Sequence, residues 1–245
     1  MVKFLNTVLT MSALVTAPLL SAATADFKSA NFAFSGQDLV AKIPAASVPQ
    51  KSDVLYCRAD INVDGRAERA NCFTKSGTQS LVVDVEQALQ TLPFSVAKVE
   101  GKRVPVRMSF RVALTPTAES LAALLIPNLG TMQAQYGRNY IAPQERLDVA
   151  DWYQRYSESS YVGGQEFLGE GDMSRVAATV NVDGRPALLK TLDAKRAHVR
   201  DAEIVKRTLR DARFIPGTLD GKVVPMQYVA AVHYDRGSQS VAKGK

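Results

Sequence analysis

Hydrophobic and polar residues follow the same order in two stretches of the chain. In the later stretch, which begins at residue 173, apolar and polar side chains alternate up to Val182, and this period of two predicts a β-strand. Asp183-Gly184 follows, a dipeptide that favours a tight hairpin because both positions tolerate positive φ. After a return strand, apolar residues recur at the three- and four-residue spacing of an amphipathic helix: Ala202, Val205, Leu209 and Ala212.

A third predicted strand ends each stretch. In the later stretch its apolar face carries Val224, Met226, Tyr228, Ala230, Val232 and Tyr234. In the earlier stretch the corresponding face carries Val104, Val106, Met108, Phe110, Val112 and Leu114. The helix before it carries Val82, Val85, Ala88, Leu89 and Leu92. We therefore predict an α+β fold with two β-β-α-β domains, each a three-stranded antiparallel or mixed sheet with one helix on one face.

The two stretches form an internal repeat. The sequence Asn-Val-Asp-Gly-Arg occurs at residues 62–66 and again, unchanged, at residues 181–185. The offset is 119 residues at this point and 120 residues from the helix onward, so a single-residue insertion or deletion separates the copies. We call residues 54–114 the first copy and residues 173–235 the second copy, and we expect each to be a small domain.

The ends of the chain differ from the copies. Residues 1–25 contain Lys3, then an apolar run, then small residues. This pattern predicts a secretory signal peptide cleaved near Ala25. An uncleaved membrane anchor is the alternative. Residues 26–53 are an N-terminal extension, and we expect residues 236–245 to be a disordered tail.

The segment between the copies, residues 115–172, is rich in aromatic residues. It holds the only tryptophan and five of the eight tyrosines: Trp152, Tyr136, Tyr140, Tyr153, Tyr156 and Tyr161. Thr115-Pro116 is predicted to begin a short apolar helix that ends near Pro127. A further helical stripe consists of Val149, Trp152, Tyr153 and Tyr156. We expect most of this segment to pack against the domains, and an aromatic platform that binds a ligand is the alternative.

The connections predict the order of the strands. The hairpin makes strands one and two antiparallel, and the helix returns the chain parallel to strand two. With strand one between them, strand three lies at the outside of the sheet. Pro105 and Pro225, at the start of strand three, favour this position because proline cannot donate a hydrogen bond to a neighbouring strand.

The two cysteines point to a disulfide in the first copy. Cys57 and Cys72 are placed symmetrically about Asp64-Gly65, so a two-residue hairpin in perfect register would bring them face to face. A pair of cysteines in an exported chain is commonly oxidised. A β-bulge would make them diagonal neighbours instead, and two buried free thiols are the alternative. The second copy has Val176 and Thr191 at these places.

Composition and motifs narrow the function. The net charge of +6, which falls to +5 without Lys3, is spread along the chain and does not favour nucleic acid as a partner. The two histidines, His198 and His233, lie in different predicted elements, so we expect no shared metal site. No motif for a nucleophile, a metal ion or a phosphate group occurs. We therefore predict a protein without cofactor or catalysis, and an enzyme with its site in the aromatic segment is the minor alternative.

The order of these elements resembles the C-terminal domain of the TonB energy transducers. The resemblance rests on the Val-Asp-Gly-Arg turn, a return strand and a helix, followed in the second copy by Phe214-Ile215-Pro216, Asp220-Gly221 and Val224-Pro225. The first copy departs from it, with Phe94-Ser95-Val96 and Glu100-Gly101. The chain also departs from that family in having no proline-rich spacer and, once the signal peptide is cleaved, no integral membrane anchor.

The resemblance implies a periplasmic protein that binds an extended segment of a protein or peptide partner in the cell envelope, for example an outer-membrane transporter. The partner would add as a strand to the edge of the last strand of a copy. The implied partner-binding positions are Val106, Met108, Phe110 and Val112 in the first copy, and Met226, Tyr228, Val229, Ala230, Ala231 and Val232 in the second. A structural envelope protein whose copies pair with each other and bind no peptide is the alternative.

Overall fold

The structure is a computed structural model that describes residues 25–118, 120–149, 173–194 and 199–233. The predicted signal peptide, except Ala25, and the predicted tail lie outside the described residues, as do His198 and the aromatic stripe from Trp152 to Tyr156. No helix within the described ranges is long and apolar enough to cross a membrane. The predicted α+β class is confirmed: most strands are antiparallel and belong to several sheets, and the helices are few and short.

The elements up to the end of the first copy comprise both short and long strands. The strands are β1 (Phe27–Lys28), β2 (Asn31–Phe32), β3 (Asp53–Ile61), β4 (Ala67–Thr74), β5 (Phe94–Ser95), β6 (Ala97–Val99), β7 (Lys102–Val104) and β8 (Val106–Pro116). The helices are α1 (Gly36–Val40), a 3-10 turn (Ala45–Ser47) and α2 (Gln79–Thr91).

The remaining elements belong to the central segment and the second copy. The strands are β9 (Leu121–Ile126), β10 (Gln144–Arg146), β11 (Met173–Val180), β12 (Pro186–Ala194), β13 (Phe214–Ile215), β14 (Thr218–Leu219), β15 (Lys222–Val223) and β16 (Met226–His233). The helices are α3 (Gln133–Tyr136) and α4 (Val199–Leu209).

Both copies place their first strand between the second and the third. In the first copy the order is β4-β3-β8, and in the second it is β12-β11-β16, with every pairing antiparallel. The helices α2 and α4 bury their apolar stripes on one face of these sheets. The predicted three-stranded sheet is correct for the second copy, whereas the sheet of the first copy extends to six strands.

The cysteine register is as the sequence predicted. Cys57 pairs directly with Cys72, and their sulfur atoms form a disulfide. In the second copy, Val176 pairs directly with Thr191 at the same place. The extra residue of the second copy lies just beyond this pair: the register shifts between Arg175 and Val176, and Leu192 has no partner there. The insertion between the copies is therefore accommodated as a β-bulge.

The repeated Asp-Gly turn differs from the predicted two-residue turn. Gly65 has a left-handed φ of 77°, and its N–H donates to the carbonyl of Asn62 (3.1 Å), but Asp64 keeps a negative φ. The side chain of Asn62 accepts from Asp64 N–H (3.0 Å) and holds a three-residue loop. The two-residue turn, with positive φ at both positions, occurs instead at Glu100-Gly101 and Asp220-Gly221.

The Asp-Gly turn contacts the phenylalanine that follows the helix. Phe94 N–H donates to the carbonyl of Gly65 (2.7 Å), and Phe214 N–H donates to the carbonyl of Gly184 (2.9 Å). A Cβ atom on either glycine would lie 2.3 Å from the carbonyl oxygen of that phenylalanine. The two motifs recur together because only glycine permits this approach.

Each copy also has a leading segment that the sequence did not predict. In the first copy, β1 pairs with β6 and β2 pairs with β5. In the second copy, Ile141 pairs with Thr218 and β10 pairs with β13 in the same way. The N-terminal extension is thus part of the first core, where Leu39 is fully buried. The central segment supplies the equivalent strand for the second copy.

The helix predicted between Thr115 and Pro127 is wrong. Pro116 ends β8, and the apolar run that follows forms β9, which pairs antiparallel with β8. A short apolar run has no period that separates helix from strand, and the unpaired edge of β8 favours the strand.

Candidate functional site

The chain itself occupies the outer edge of β8, the last strand of the first copy. β9 pairs with residues 111–116 of β8, and β10 pairs with Val106 and Arg107. The first copy therefore does not present the open edge that the sequence predicted, because the chain turns back after Pro116 and supplies its own neighbouring strands. The side chains predicted for that edge are all buried: Val106, Met108, Phe110 and Val112.

The hydrogen bonds of β4 show which backbone groups of β8 point outward. Cys72 N–H donates to Oε1 of Glu86 on α2 (2.6 Å), so it points away from β3. Cys57, opposite Cys72, therefore directs its N–H toward β8, where it pairs with Phe110. Because these groups alternate along an antiparallel strand, the N–H of Ser109 points to the outer side of β8.

The second copy has the same register, which fixes the outward groups of β16. Val176 pairs with Ala230, as Cys57 pairs with Phe110. Val229 then occupies the place of Ser109. The N–H groups of Val229 and Ala231 point to the outer side of β16 for the same reason.

β16 is the edge strand of its sheet. Within the described ranges it pairs with β11 alone. Near its start, the hydroxyl of Tyr136 donates to the carbonyl of Pro225 (3.2 Å). From Val229 to His233, no described strand lies beside its outer edge.

The residues predicted at this edge divide between the two faces of β16. The buried residues are Met226, Tyr228 and Ala230. Val229 is half-buried on the opposite face. Ala231 and Val232 pair with Arg175 and Ser174 of β11.

A buried polar network joins the two copies beside this edge. Arg107 of β8 makes two hydrogen bonds to Asp60, from Nε (2.7 Å) and Nη2 (2.9 Å). Its Nη1 lies 3.7 Å from Oε2 of Glu145 on β10. The same carboxylate oxygen accepts the hydroxyl of Tyr228 on β16 (3.0 Å). Glu145 thus links a guanidinium of the first copy to a phenol of the second.

Burial controls the protonation of this network. The pKa of Glu145 is raised above its ordinary value of 4.5 because burial disfavours the carboxylate, and the charge of Arg107 opposes this effect. Burial also raises the pKa of Tyr228 well above its ordinary value of 10.0, and the negative charge of Glu145 adds to the shift. The phenol therefore stays protonated and donates to Glu145.

Two basic residues of β8, Arg107 and Arg111, contact other parts of the chain. Arg107 is only 3% exposed. Arg111 donates from Nε to the carbonyl of Asn128 (3.1 Å) and from Nη2 to Oε1 of Gln133 (3.0 Å). The sequence analysis did not identify Asp60 and Glu145 as partners of Arg107, because single carboxylates in a strand and in the aromatic segment carry no periodic signal.

A small cavity lies where the two copies meet. Its volume is about 30 Å³, and it is lined by Ser109, Leu129, Thr131, Ala142, Pro143, Gln227, Tyr228 and Val229. It therefore separates the outer side of β8 from the start of β16. Thr131 and Gln227 are exposed and mark its opening to the surface.

Comparison with known protein families, with curated proteins and with solved structures finds no match for this chain. Among the described residues, no group of three or more histidine, cysteine or carboxylate side chains is placed to hold a metal ion.

Proposed function

We propose that this chain is a periplasmic interaction protein built from two copies of a TonB-like domain. The second copy captures an extended segment of an envelope protein along the outer edge of β16, and the first copy is its scaffold. An outer-membrane transporter fits this role because its exposed segments reach the same compartment.

The observation that carries the proposal is a difference between equivalent strands. β8 and β16 end their copies in the same register, yet β8 has β9 and β10 on its outer side. β16 has no described strand there. An edge with outward N–H and C=O groups, such as those of Val229 and Ala231, offers hydrogen bonds to an extended partner.

The junction between the copies supports this mode of binding. β10 adds to β8 as a short antiparallel strand from outside the first copy. The fold therefore already uses strand addition along the outer edge of β8, the strand that corresponds to β16. The disulfide, which occurs in the first copy alone, is consistent with an exported scaffold.

Substituting Val229 tests the proposal. Val229→Pro removes the outward N–H, and the edge position tolerates the proline ring. Val229→Ala is the matched control, because it shortens the same side chain and keeps the N–H. We expect Val229→Pro to lose capture of envelope proteins in a pull-down from envelope extract, and Val229→Ala to retain it.

Thermal unfolding of both variants shows whether the fold is intact. Loss of capture by Val229→Pro with an unchanged Tm supports strand addition at β16. Equal capture by Val229→Pro, Val229→Ala and the parent protein contradicts it.

A structural role is the second candidate, favoured by the junction between the copies. β10 lies between β8 and β13 and so joins the first sheet to the second copy. The copies are paired through this strand, as a purely structural protein would require. Absence of any captured partner, together with protection of the Ala231 amide from hydrogen exchange, favours this candidate over strand addition.

A further inference from the structure

The cavity between the copies lies on the side of β16 where a partner strand would add. Its lining comes from β8, from the segment before β10 and from β16. No residue of β11, which covers the other side of β16, is part of its lining. The cavity is therefore at the outer edge of β16 and not beneath the sheet.

Two equivalent residues line this cavity. Ser109 and Val229 occupy the same place in the two copies, and the N–H of each points to the outer side of its strand. Ser109 falls between the part of β8 that pairs with β10 and the part that pairs with β9. A strand that adds at Val229 would therefore contact both copies at once.

The size and lining of the cavity limit what it can hold. Its volume of about 30 Å³ has room for roughly two water molecules or one small side chain. Leu129, Ala142 and Pro143 make much of the wall apolar. A residue that pairs with Val229 in an added strand directs its side chain to the same face as Val229, which is one of the residues that line the cavity.

We propose that the cavity receives a small side chain, of alanine or serine size, from the segment that adds to β16. This proposal rests on strand addition at β16. It gives that site a sequence preference: one position of the captured segment is restricted to small residues, while its neighbours bind mainly through backbone groups.

Peptide selection provides the test. The purified exported protein is used to select from a display library of random nine-residue peptides, and the affinities of enriched peptides are measured by fluorescence polarisation. We expect the aligned peptides to share one position with glycine, alanine or serine. Replacing alanine with leucine at that position should weaken binding by about tenfold or more, because the cavity cannot expand to fit it.

Substitutions in the cavity wall are expected to change the size preference at this peptide position. Ala142→Leu fills the cavity and should weaken binding of the alanine peptide by about tenfold, while the glycine peptide still binds. Leu129→Ala enlarges the cavity and should restore binding of the leucine peptide. Ala122→Leu, on the exposed side of β9, is the matched control and should change neither affinity.

The outcomes separate the pocket from strand addition itself. If Val229→Pro weakens peptide binding but the aligned peptides show no size-restricted position, the proposed pocket is wrong and strand addition stands. The pocket is also wrong if the leucine peptide binds the parent protein and Leu129→Ala equally well. If no peptide is enriched, or if Val229→Pro binds every peptide normally, strand addition fails and the pocket fails with it.

Discussion

At the scale of residues, glycines with the same backbone angle differ in what surrounds them. Gly184 and Gly221 both have a φ of 75°. A Cβ atom on Gly184 would meet the carbonyl oxygen of Phe214 at 2.3 Å, whereas one on Gly221 would meet nothing within 4 Å. Comparing substitutions at these two positions therefore distinguishes the need for a left-handed backbone from the need for space beside the glycine.

We expect Gly221→Ala to lower the free energy of unfolding by about 1 kcal/mol, the cost of a left-handed alanine. Gly184→Ala should lower it by about 3 kcal/mol, because overpacking against Phe214 adds to that cost. Urea unfolding of the two variants measures the difference. Equal losses would show that the contact between the turn and Phe214 contributes nothing.

Glu145 should make stability depend on pH. Its pKa is raised in the folded state from the ordinary value of 4.5, mainly by burial. The folded state therefore binds the proton more tightly, and the stabilisation is complete below pH 4.5 and is lost as the pH rises through the raised pKa.

Glu145→Gln stays neutral and can still accept the hydroxyl of Tyr228. We expect its stability relative to the parent protein to increase with pH above 4.5, as measured by urea unfolding at several pH values. Glu68→Gln, at an exposed carboxylate, is the control. A constant difference across this pH range would contradict the prediction.

At the scale of elements, the second copy shows what the hairpin of the first copy would be without its disulfide. Val176 and Thr191 pair where Cys57 and Cys72 form the bridge. The double substitution Cys57→Val and Cys72→Thr transfers this pair to the first copy. It removes the crosslink and keeps residues that fit a strand.

We expect the free energy of unfolding of this double variant to be about 3 kcal/mol lower than that of the parent protein, since the disulfide closes a loop of 15 residues. A reducing agent should lower the parent to a similar value and leave the variant unchanged. The same stability in oxidised and reduced parent protein would contradict this account.

The sequence predicts elements well where a side-chain pattern accompanies them. The helix with Val85 and Leu89 and the last strand with Met108 and Phe110 are examples, because each buries one regular face. The sequence does not predict the leading segments β2 and β10, since strands of two and three residues are too short to show a period and their pairing partners are distant in the chain. The open edge in the first copy is mispredicted for the same reason: what covers β8 depends on long-range pairing.

At the scale of the whole molecule, the two copies share structure. β10 pairs with both β8 and β13, and Glu145 contacts Arg107 of one copy and Tyr228 of the other. Neither copy keeps all its contacts if the other unfolds. We therefore expect the chain to unfold in one cooperative transition.

Calorimetry tests this cooperativity by comparing the calorimetric with the van't Hoff enthalpy, which should agree. Two resolved transitions in the parent protein would show that the copies are independent.

Tyr228→Phe removes the hydrogen bond between the copies and should lower the free energy of unfolding by about 1 kcal/mol or more.

The way the copies join also bears on growth by addition of further units. The last strand of the first copy pairs with the leading strand of the second. This head-to-tail contact does not close on itself, so the addition of further units in the same way would build a filament. In the first copy, the outward N–H of Phe32, which corresponds to Glu145, instead donates to Oδ1 of Asn31 (2.9 Å). The side-chain amide of Gln144 accepts from the N–H of Ala30 and donates to its carbonyl. The backbone groups of Ala30 and the N–H of Phe32 are thus already bonded within the chain, which disfavours addition of the last strand of another molecule at this end.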